Sequence, residues 1–209
     1  VLGREPVSKV IEYHLSEDVL DKVMHLFWGK GFFATSIDEV VKITGLNRGA
    51  IYKYFGGKEQ LYVAMLKRYL SQVTFQLTKP LLEPSDNPVS ALQTFSSQFT
   101  QAMSIPVQQK GCFLVMTATD LPLKSDATNQ VVNEFLSHLQ QLLSDLLSQA
   151  IQQGICDATL DHQQTTSFLI GNIMGLMTLL RAQAPKVWVD EHIAAINQYL
   201  ESLKYGACP

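Results

Sequence analysis

The chain has 209 residues, enough for one small module with a larger domain or for a single domain of ordinary size. Hydrophobic residues make up 46% and charged residues only 17%, a composition that favours a well-buried globular protein and argues against disorder. The formal net charge of -3 argues by itself against a nucleic-acid partner, because phosphate binding requires Lys and Arg. Residues 1–68 nevertheless carry ten Lys and Arg against eight Asp and Glu, so a small basic excess lies at the N-terminal end.

The cysteines and the apolar runs exclude several other classes of protein. Cys112, Cys156 and Cys208 form no C-x-x-C pair and no even-numbered framework, so we predict no metal, no cofactor and no disulfide scaffold. The longest strongly apolar run, Phe168 to Leu180, is shorter than the roughly 20 residues that span a bilayer. We therefore expect no membrane partner and a location in the reducing cytoplasm.

The N-terminal residues predict an arm followed by a first helix. Residues 1–15 have no clear apolar period, which is typical of an arm. Ser16 can cap a helix whose first turn contains Glu17 and Asp18, two carboxylates that suit the positive end of the helix dipole. Helical apolar spacing continues to Gly31, where we expect this helix to end.

Two short helices with a glycine turn between them are predicted next. Ser36 and Glu39 have the spacing of a capping box, in which each side chain satisfies the other residue's backbone N–H. This helix ends before Gly45, a residue that tolerates positive φ and so allows a sharp turn. Asn47 then offers a cap for a third helix over residues 48 to about 55. The pattern predicts a helix-turn-helix over residues 36–55.

The rest of the chain is predicted to be helical as well, which gives an all-α fold class. A long connecting helix is expected from Lys58 to a break at Lys79 and Pro80. Further apolar periods predict helices at about residues 87–104, 112–119, 126–153, 161–184 and 189–203.

Read in order, the N-terminal segments resemble the DNA-binding domain of the TetR family of bacterial transcriptional regulators. The segments are Gly31-Phe32, Thr35-Ser36-Ile37, Gly45-Leu46-Asn47, Ile51-Tyr52-Lys53-Tyr54-Phe55 and Lys58-Glu59-Gln60-Leu61, which span about a quarter of the chain. The resemblance implies a three-helix DNA-binding domain over residues 16–57, after the arm over residues 1–15. It also implies a larger helical ligand-binding and dimerisation domain over residues 58–209.

The third helix has the residue types expected of a recognition helix. The first residues of such a helix reach base edges in the major groove of double-stranded DNA. Arg48 could pair with O6 and N7 of guanine, and Gly49 and Ala50 leave room for close approach or for a thymine methyl. Asp38 departs from a basic surface, so it could orient Arg48 or disfavour wrong sequences.

A second group of residues is expected to bind the DNA backbone. Tyr52, Lys53, Tyr54 and Lys58 supply hydroxyls and charges for phosphates. Thr35 and Ser36 offer hydroxyls at positions where the family contacts phosphates. Ser36 and Asn47 are equally explained as helix caps, and one of the two tyrosines could pack inward.

In the TetR family the C-terminal helices form the homodimer interface and a pocket for a small-molecule inducer. The resemblance therefore implies a dimer through the last two helices, where Gly171 and Gly175 would allow close approach. Candidate pocket residues, which plain core packing explains at least as well, are Phe95, Phe99, Met103, Cys112, Phe113, Met116 and Phe135.

The resulting interpretation is a repressor that an unidentified inducer releases from a palindromic operator. One alternative is a redox- or electrophile-sensing repressor, because Cys112 begins a helix whose dipole could lower the pKa of its thiol. Another is a helical ligand-binding dimer without DNA function. An enzyme is disfavoured, because the five His residues are scattered and no nucleophile motif is present.

Overall fold

A computed structural model describes residues 15–83, 86–102, 111–120 and 125–204. The regular structure within these ranges is helical, as predicted. The helices are α1 (Glu17–Ala34), α2 (Ile37–Thr44), α3 (Arg48–Phe55), α4 (Lys58–Tyr69), α5 (Phe75–Leu82), α6 (Pro88–Ala102), α7 (Phe113–Thr119), α8 (Asp126–Gln152), α9 (His162–Arg181) and α10 (Lys186–Ser202). A π-helical segment, Leu70–Thr74, joins α4 to α5. All but the last residue of the arm expected at residues 1–15 lie outside the described residues.

The first three helices begin where local capping chemistry predicts. Ser16 accepts from the backbone N–H of Val19 at 3.4 Å, and Asn47 accepts from that of Ala50 at 2.8 Å. The first helix differs at its end, because it continues to Ala34. Gly31, at which we expected it to stop, instead produces a kink with a φ of 82°.

The connecting helix does not break where the sequence predicts. Pro80 lies inside α5, and the regular α-helix is interrupted ten residues earlier by the π-helical segment. A proline removes one backbone hydrogen bond, but neighbouring backbone adjustments can accommodate it within a helix. The expectation of a break at Lys79 and Pro80 is therefore wrong.

One apolar core joins the three N-terminal helices to α4, α7 and α8. Buried side chains of α1, including Phe27, pack with Ile51 of α3 and Tyr62 of α4. Phe113 of α7 and Val131 of α8 belong to the same cluster. The predicted boundary at residue 57 thus falls between two helices that share a core.

A second apolar core lies within the C-terminal helices. It includes Leu92 of α6, Leu147 of α8, Leu176 of α9 and Val189 of α10. Phe135 and Cys112 are partly buried and pack against both cores. Across the residues described here, no helix combines the length and apolarity that would let it cross a membrane.

Candidate nucleic-acid interface and the relatives of the chain

The turn between α2 and α3 is fixed by hydrogen bonds of its own residues. Gly45 has a φ of 70°, and its N–H donates to the carbonyl oxygen of Val41 at 2.9 Å. The Thr44 hydroxyl donates to the carbonyl oxygen of Val40 and accepts from the N–H of Leu46 at 3.2 Å. These bonds give α3 a defined direction relative to α2.

The side chains of α3 divide between the core and the solvent. Ile51 is fully buried and Phe55 is nearly so, whereas Tyr52 is 54% exposed and Lys53 is also exposed. Tyr54 is half-buried against the N-terminal core, which makes it the tyrosine that packs inward. The helix is therefore held by two apolar side chains while its other face remains open to a partner.

The first turn of α3 presents the residues expected to approach bases. Asn47, Arg48 and Gly49 are exposed, and Ala50 is half-buried. A Cβ added at Gly49 would lie 3.3 Å from the Asn47 side-chain oxygen that caps the helix. A larger residue at Gly49 would therefore press on this cap.

Arg48 forms a two-point ion pair with Asp38 across the helix-turn-helix. Its Nε donates to Oδ1 of Asp38 at 2.9 Å and its Nη2 donates to Oδ2 at 2.6 Å. Hydrogen bonding to Asp38 raises the pKa of Arg48 above its ordinary value. The structure therefore contains the contact that the first of the two roles considered for Asp38, the orientation of Arg48, requires.

The N-terminus of α2 contains the predicted capping box and one addition to it. The Ser36 hydroxyl accepts from the backbone N–H of Glu39 at 3.2 Å, and the Glu39 carboxylate accepts from the N–H of Ser36 at 2.9 Å. Lys30 of α1 also donates to Glu39. The bonds from Lys30 and Ser36 lower the pKa of Glu39 to about 2. Ser36 is exposed but already engaged as a cap.

Thr35 does not offer its hydroxyl to a partner in this structure. The residue is fully buried, and its hydroxyl donates to the carbonyl oxygen of Gly31 at 2.7 Å. Gly31 is among the last four residues of α1, whose carbonyls have no donor within the helix, and the Thr35 hydroxyl supplies one. The expected phosphate contact of this side chain is therefore corrected to a structural hydrogen bond.

Lys58 lies over an aromatic ring at the start of α4. Its Nζ is 4.3 Å from the centre of the Phe32 ring, a cation–π arrangement. Partial burial lowers the pKa of Lys58. Gly57 precedes it without any side-chain cap, so the first N–H groups of α4 adjoin this charge. The Gly31-Phe32 motif was visible in the sequence, but the pairing of Phe32 with Lys58 was not.

The candidate pocket residues do not come together as one lining. Phe95 lies in the C-terminal core, whereas Phe113 is fully buried in the N-terminal core between Tyr62 and Tyr69. Met116 and Phe135 are half-buried. The Phe99 side chain and the whole of Met103 lie outside the described residues.

Two shallow depressions on the described surface are lined by residues other than these candidates. One lies between α8 and α9, and the other is on α6. Their linings are mainly hydroxyl and amide side chains, including Ser137, Gln140 and Ser167 in the first and Gln93 and Ser97 in the second. No group of three His, Cys, Asp or Glu side chains among the described residues is placed to hold a metal ion.

Cys112 stands at the start of α7, but its acidity differs from the expectation. Burial raises the pKa of the Cys112 thiol, and the opposing hydrogen bonds from Tyr69 and from backbone N–H groups do not offset it. The expectation that the helix start lowers this pKa is wrong, because desolvation of the thiolate outweighs the helix dipole.

A buried junction missed by the sequence reasoning connects α1 to the C-terminal helices. Trp28 Nε1 donates to the carbonyl oxygen of Gly111 at 2.9 Å, and Arg181 Nη1 donates to the carbonyl oxygen of Trp28 at 3.4 Å. A Cβ added at Gly111 would lie 2.6 Å from Cβ of Arg181. Residues 28, 111 and 181 are far apart in the chain, so no local pattern could indicate this contact.

Known proteins resemble the chain along most of its length. It is 28% identical over 166 residues to the HTH-type transcriptional repressor ComR of Escherichia coli, which covers 79% of each chain. A TetR-family regulator from Cytophaga hutchinsonii has a similar fold, with a TM-score of 0.79 at 21% identity over 90% of this chain and 93% of that one. A cysteine mutant of the TetR-family regulator CifR, solved with a 26-bp operator DNA, has a TM-score of 0.74 at 18% identity over 93% and 98% of the two chains.

Two family models account for the two parts of the molecule. Residues 19–65 match the model described as bacterial regulatory proteins, tetR family, which includes α2 and α3. Residues 88–196 match the model of the tetracyclin repressor-like C-terminal domain. Both are models of regulators rather than of enzymes. The chain belongs to the TetR family and is a transcriptional regulator with an N-terminal helix-turn-helix DNA-binding domain.

Proposed function

We propose that the protein is a repressor that binds a palindromic operator as a homodimer and that a small-molecule inducer releases it. Each protomer would place α3 in the major groove of one half-site, with the two α3 helices about 34 Å apart. An inducer that binds more tightly to a dimer with another spacing would shift the protein away from the DNA-binding form. The loss of DNA affinity equals the difference between the inducer's binding free energies for the two forms, typically about 1 to 3 kcal/mol.

The observation that carries the DNA-binding part is the division of α3 into a buried face and an exposed face. Ile51 and Phe55 fix the helix, while Arg48, Tyr52 and Lys53 are exposed on it. Arg48 is at the N-terminal end, from which recognition helices read bases. Lys58 and the uncapped first turn of α4 would hold a phosphate.

An exposed surface on α9 and α10 supports the homodimer. Phe168, Val187 and Trp188 lie on these two helices and are each about half exposed, so their apolar side chains are available to a partner. Gly171 and Gly175 have no atom within 4 Å of where a Cβ would be, so a second helix could approach there closely. We propose that the two helices pack with their counterparts as a four-helix bundle.

The inducer site is proposed near the two residues that contact both cores. Cys112 and Phe135 pack against both the N-terminal and the C-terminal clusters. A ligand that displaced Phe135 would therefore affect packing next to α1 and α4 as well as within the C-terminal domain. The half-buried, flexible side chain of Met116 could adapt to such a ligand.

The DNA-binding proposal is tested by selecting operator fragments from sheared genomic DNA with the purified protein at near-physiological salt. Arg48→Ala should relax specificity at one base pair per half-site, at a cost of about 1 to 3 kcal/mol. Lys58→Ala should weaken binding to all sequences alike and flatten its salt dependence. Fluorescence anisotropy with the selected site and with random DNA separates the two effects.

Lys79→Ala is the matched control, because Lys79 is an exposed cation of α5 that pairs with Glu83, the residue that follows this helix. It should leave both affinities unchanged. Recovery of no enriched site would contradict the repressor proposal and favour a ligand-binding dimer without DNA function. If Arg48→Ala lowers the affinity for the selected site and for random DNA equally, Arg48 does not read a base.

The homodimer is tested by light scattering during size-exclusion chromatography. Gly175→Glu adds a charge at an open position of α9, so it should dissociate the dimer without disturbing the protomer. Gln149→Glu adds a charge on the exposed face of α8 and should leave the mass unchanged. A monomeric wild-type protein, or a dimer unaffected by Gly175→Glu, would contradict the proposed interface.

A further inference from the structure

We propose that Asp38 is a specificity-determining residue, which holds the guanidinium of Arg48 in position for a guanine and lowers the affinity for every other sequence. This inference rests on the proposed function, because it concerns the same helix-turn-helix surface. It goes beyond that function by assigning to an acidic residue of α2 a role in reading the operator.

The geometry of the pair leaves the base-reading edge of Arg48 free. Asp38 takes the edge of the guanidinium formed by Nε and Nη2, through bonds of 2.9 and 2.6 Å. A guanidinium has five N–H donors, so three remain. Two of these N–H groups, one on Nη1 and one on Nη2, point outward from the end of the side chain and lie in the plane of the guanidinium. That end has the spacing required for O6 and N7 of guanine.

The pair also restricts Arg48 before DNA arrives. Arg has a long side chain with many rotamers, and fixing them on binding costs entropy. A two-point bond to a carboxylate removes part of this freedom in the free protein and fixes the plane of the guanidinium. A misoriented guanidinium could pair with several acceptors, whereas a fixed plane suits one base.

This ion pair contributes little to the stability of the fold. The Arg48 and Asp38 side chains are 67% and 59% exposed, and exposed pairs of this kind contribute little to stability. The pair connects the first turn of α2 to the first turn of α3, which are already oriented by the turn at Gly45. Its position on the recognition surface is therefore better explained by DNA than by the fold.

Asp38 increases specificity through Arg48, but its negative charge lowers the affinity for DNA. A carboxylate near DNA repels the phosphates and the acceptor groups on base edges, and so lowers affinity for DNA of any sequence. Its removal should strengthen binding to random DNA and at the same time weaken the discrimination that Arg48 provides. Dependence of the lost discrimination on Arg48 distinguishes this role from the general effect of removing a negative charge near DNA.

The test is a double-mutant cycle on the operator recovered with the wild-type protein. Anisotropy is measured for wild type, Asp38→Ala, Arg48→Ala and the double variant. Each is titrated with the operator, with operators in which each guanine of the half-site is replaced in turn, and with random DNA. Asp18→Ala is the control, since Asp18 is also exposed, in the first turn of a helix and paired with a cation, Lys22.

We expect wild type to discriminate against one guanine replacement by roughly 5- to 150-fold. Asp38→Ala should reduce that ratio several-fold while binding random DNA more tightly, and Asp18→Ala should change neither. In the Arg48→Ala background the removal of Asp38 should leave discrimination unchanged. Thermal unfolding checks that each variant is folded.

The outcomes separate this inference from the proposed function. If Asp38→Ala discriminates between operators as well as wild type does, the proposed role of Asp38 is wrong. The role is also wrong if removal of Asp38 lowers discrimination in the Arg48→Ala background. In both cases the regulator proposal stands. A wild-type protein that binds all sequences equally overturns the sequence-specific function itself, and the inference with it.

Discussion

At the start of α2, Ser36 and Lys30 of α1 donate hydrogen bonds to the carboxylate of Glu39. Ser36 donates its backbone N–H at 2.9 Å and Lys30 donates from α1, so the ionised carboxylate is favoured. The pKa of Glu39 is accordingly lowered from 4.5 to about 2. The hydrogen bond from Lys30 to Glu39 links α1 to α2, and it is strongest while Glu39 is charged.

We predict that Glu39→Gln lowers stability most at neutral pH. A lowered folded-state pKa gives stability that is present above pH 4.5 and is lost as the pH falls from 4.5 towards 2. The difference in urea midpoint between wild type and Glu39→Gln should therefore shrink across this range. Circular dichroism at several pH values measures it, and a difference that does not change with pH would contradict the cause assigned here.

At Cys112, burial decides the chemistry of the residue. Its raised thiol pKa keeps the group protonated at neutral pH, and the protonated thiol is a poor nucleophile. We predict that Cys112→Ser leaves the DNA-binding response to oxidants unchanged. Native wild type and Cys112→Ser should also show the same number of rapidly reacting thiols with a disulfide reagent. The loss of one fast thiol in the variant would restore the electrophile-sensing alternative.

At the scale of the elements, the helix-turn-helix depends on its glycine turn. Gly45 has a φ of 70°, and a Cβ there would meet no atom within 4 Å. The cost of a side chain is therefore confined to the backbone, because this region of φ is unfavourable for most L-residues.

We predict that Gly45→Ala destabilises the fold by about 1 to 2 kcal/mol and that Gly45→Asn costs less, since Asn tolerates this conformation better. Urea unfolding measures both variants. An equal loss in the two would show that contacts other than backbone strain determine the effect.

For the molecule as a whole, the junction of Trp28, Gly111 and Arg181 connects the DNA-binding helices to the C-terminal domain. The Trp28 indole N–H satisfies the buried Gly111 carbonyl, and the indole ring also contacts Tyr69 at 4.9 Å between centroids. The N-terminal core continues through Phe113 into α7 and α8. A change in the C-terminal helices therefore has a direct physical route to α1.

We predict that Trp28→Phe keeps an aromatic ring at this buried site but lowers stability by at least about 1 to 3 kcal/mol, because a buried carbonyl loses its donor and the smaller ring leaves a cavity. Gly111→Ala should cost more, since its Cβ would lie 2.7 Å from Cα of Arg181. Thermal unfolding measures both. Tyr52→Phe also removes a hydrogen-bond donor, but at a 54% exposed site, and it should have little effect on unfolding; an equally large loss there would contradict the junction's role.

The sequence by itself determined where the first three helices begin and which face of the recognition helix is buried. Ser16, Ser36 and Asn47 cap the helices that they were predicted to begin, and Gly45 forms the turn. Ile51 and Phe55 are buried, as their apolar spacing indicates. These features depend on residues within about four positions of one another, and such local relations can be read directly from the order of residues.

Only the tertiary structure decided which groups are available for chemistry. It placed Thr35 in the core, Lys58 over Phe32, and the Cys112 thiol where desolvation raises its pKa. It also joined Trp28 to residues 83 and 153 positions further along the chain. Burial and long-range hydrogen bonding depend on how the helices pack together, and no short window of sequence contains that information.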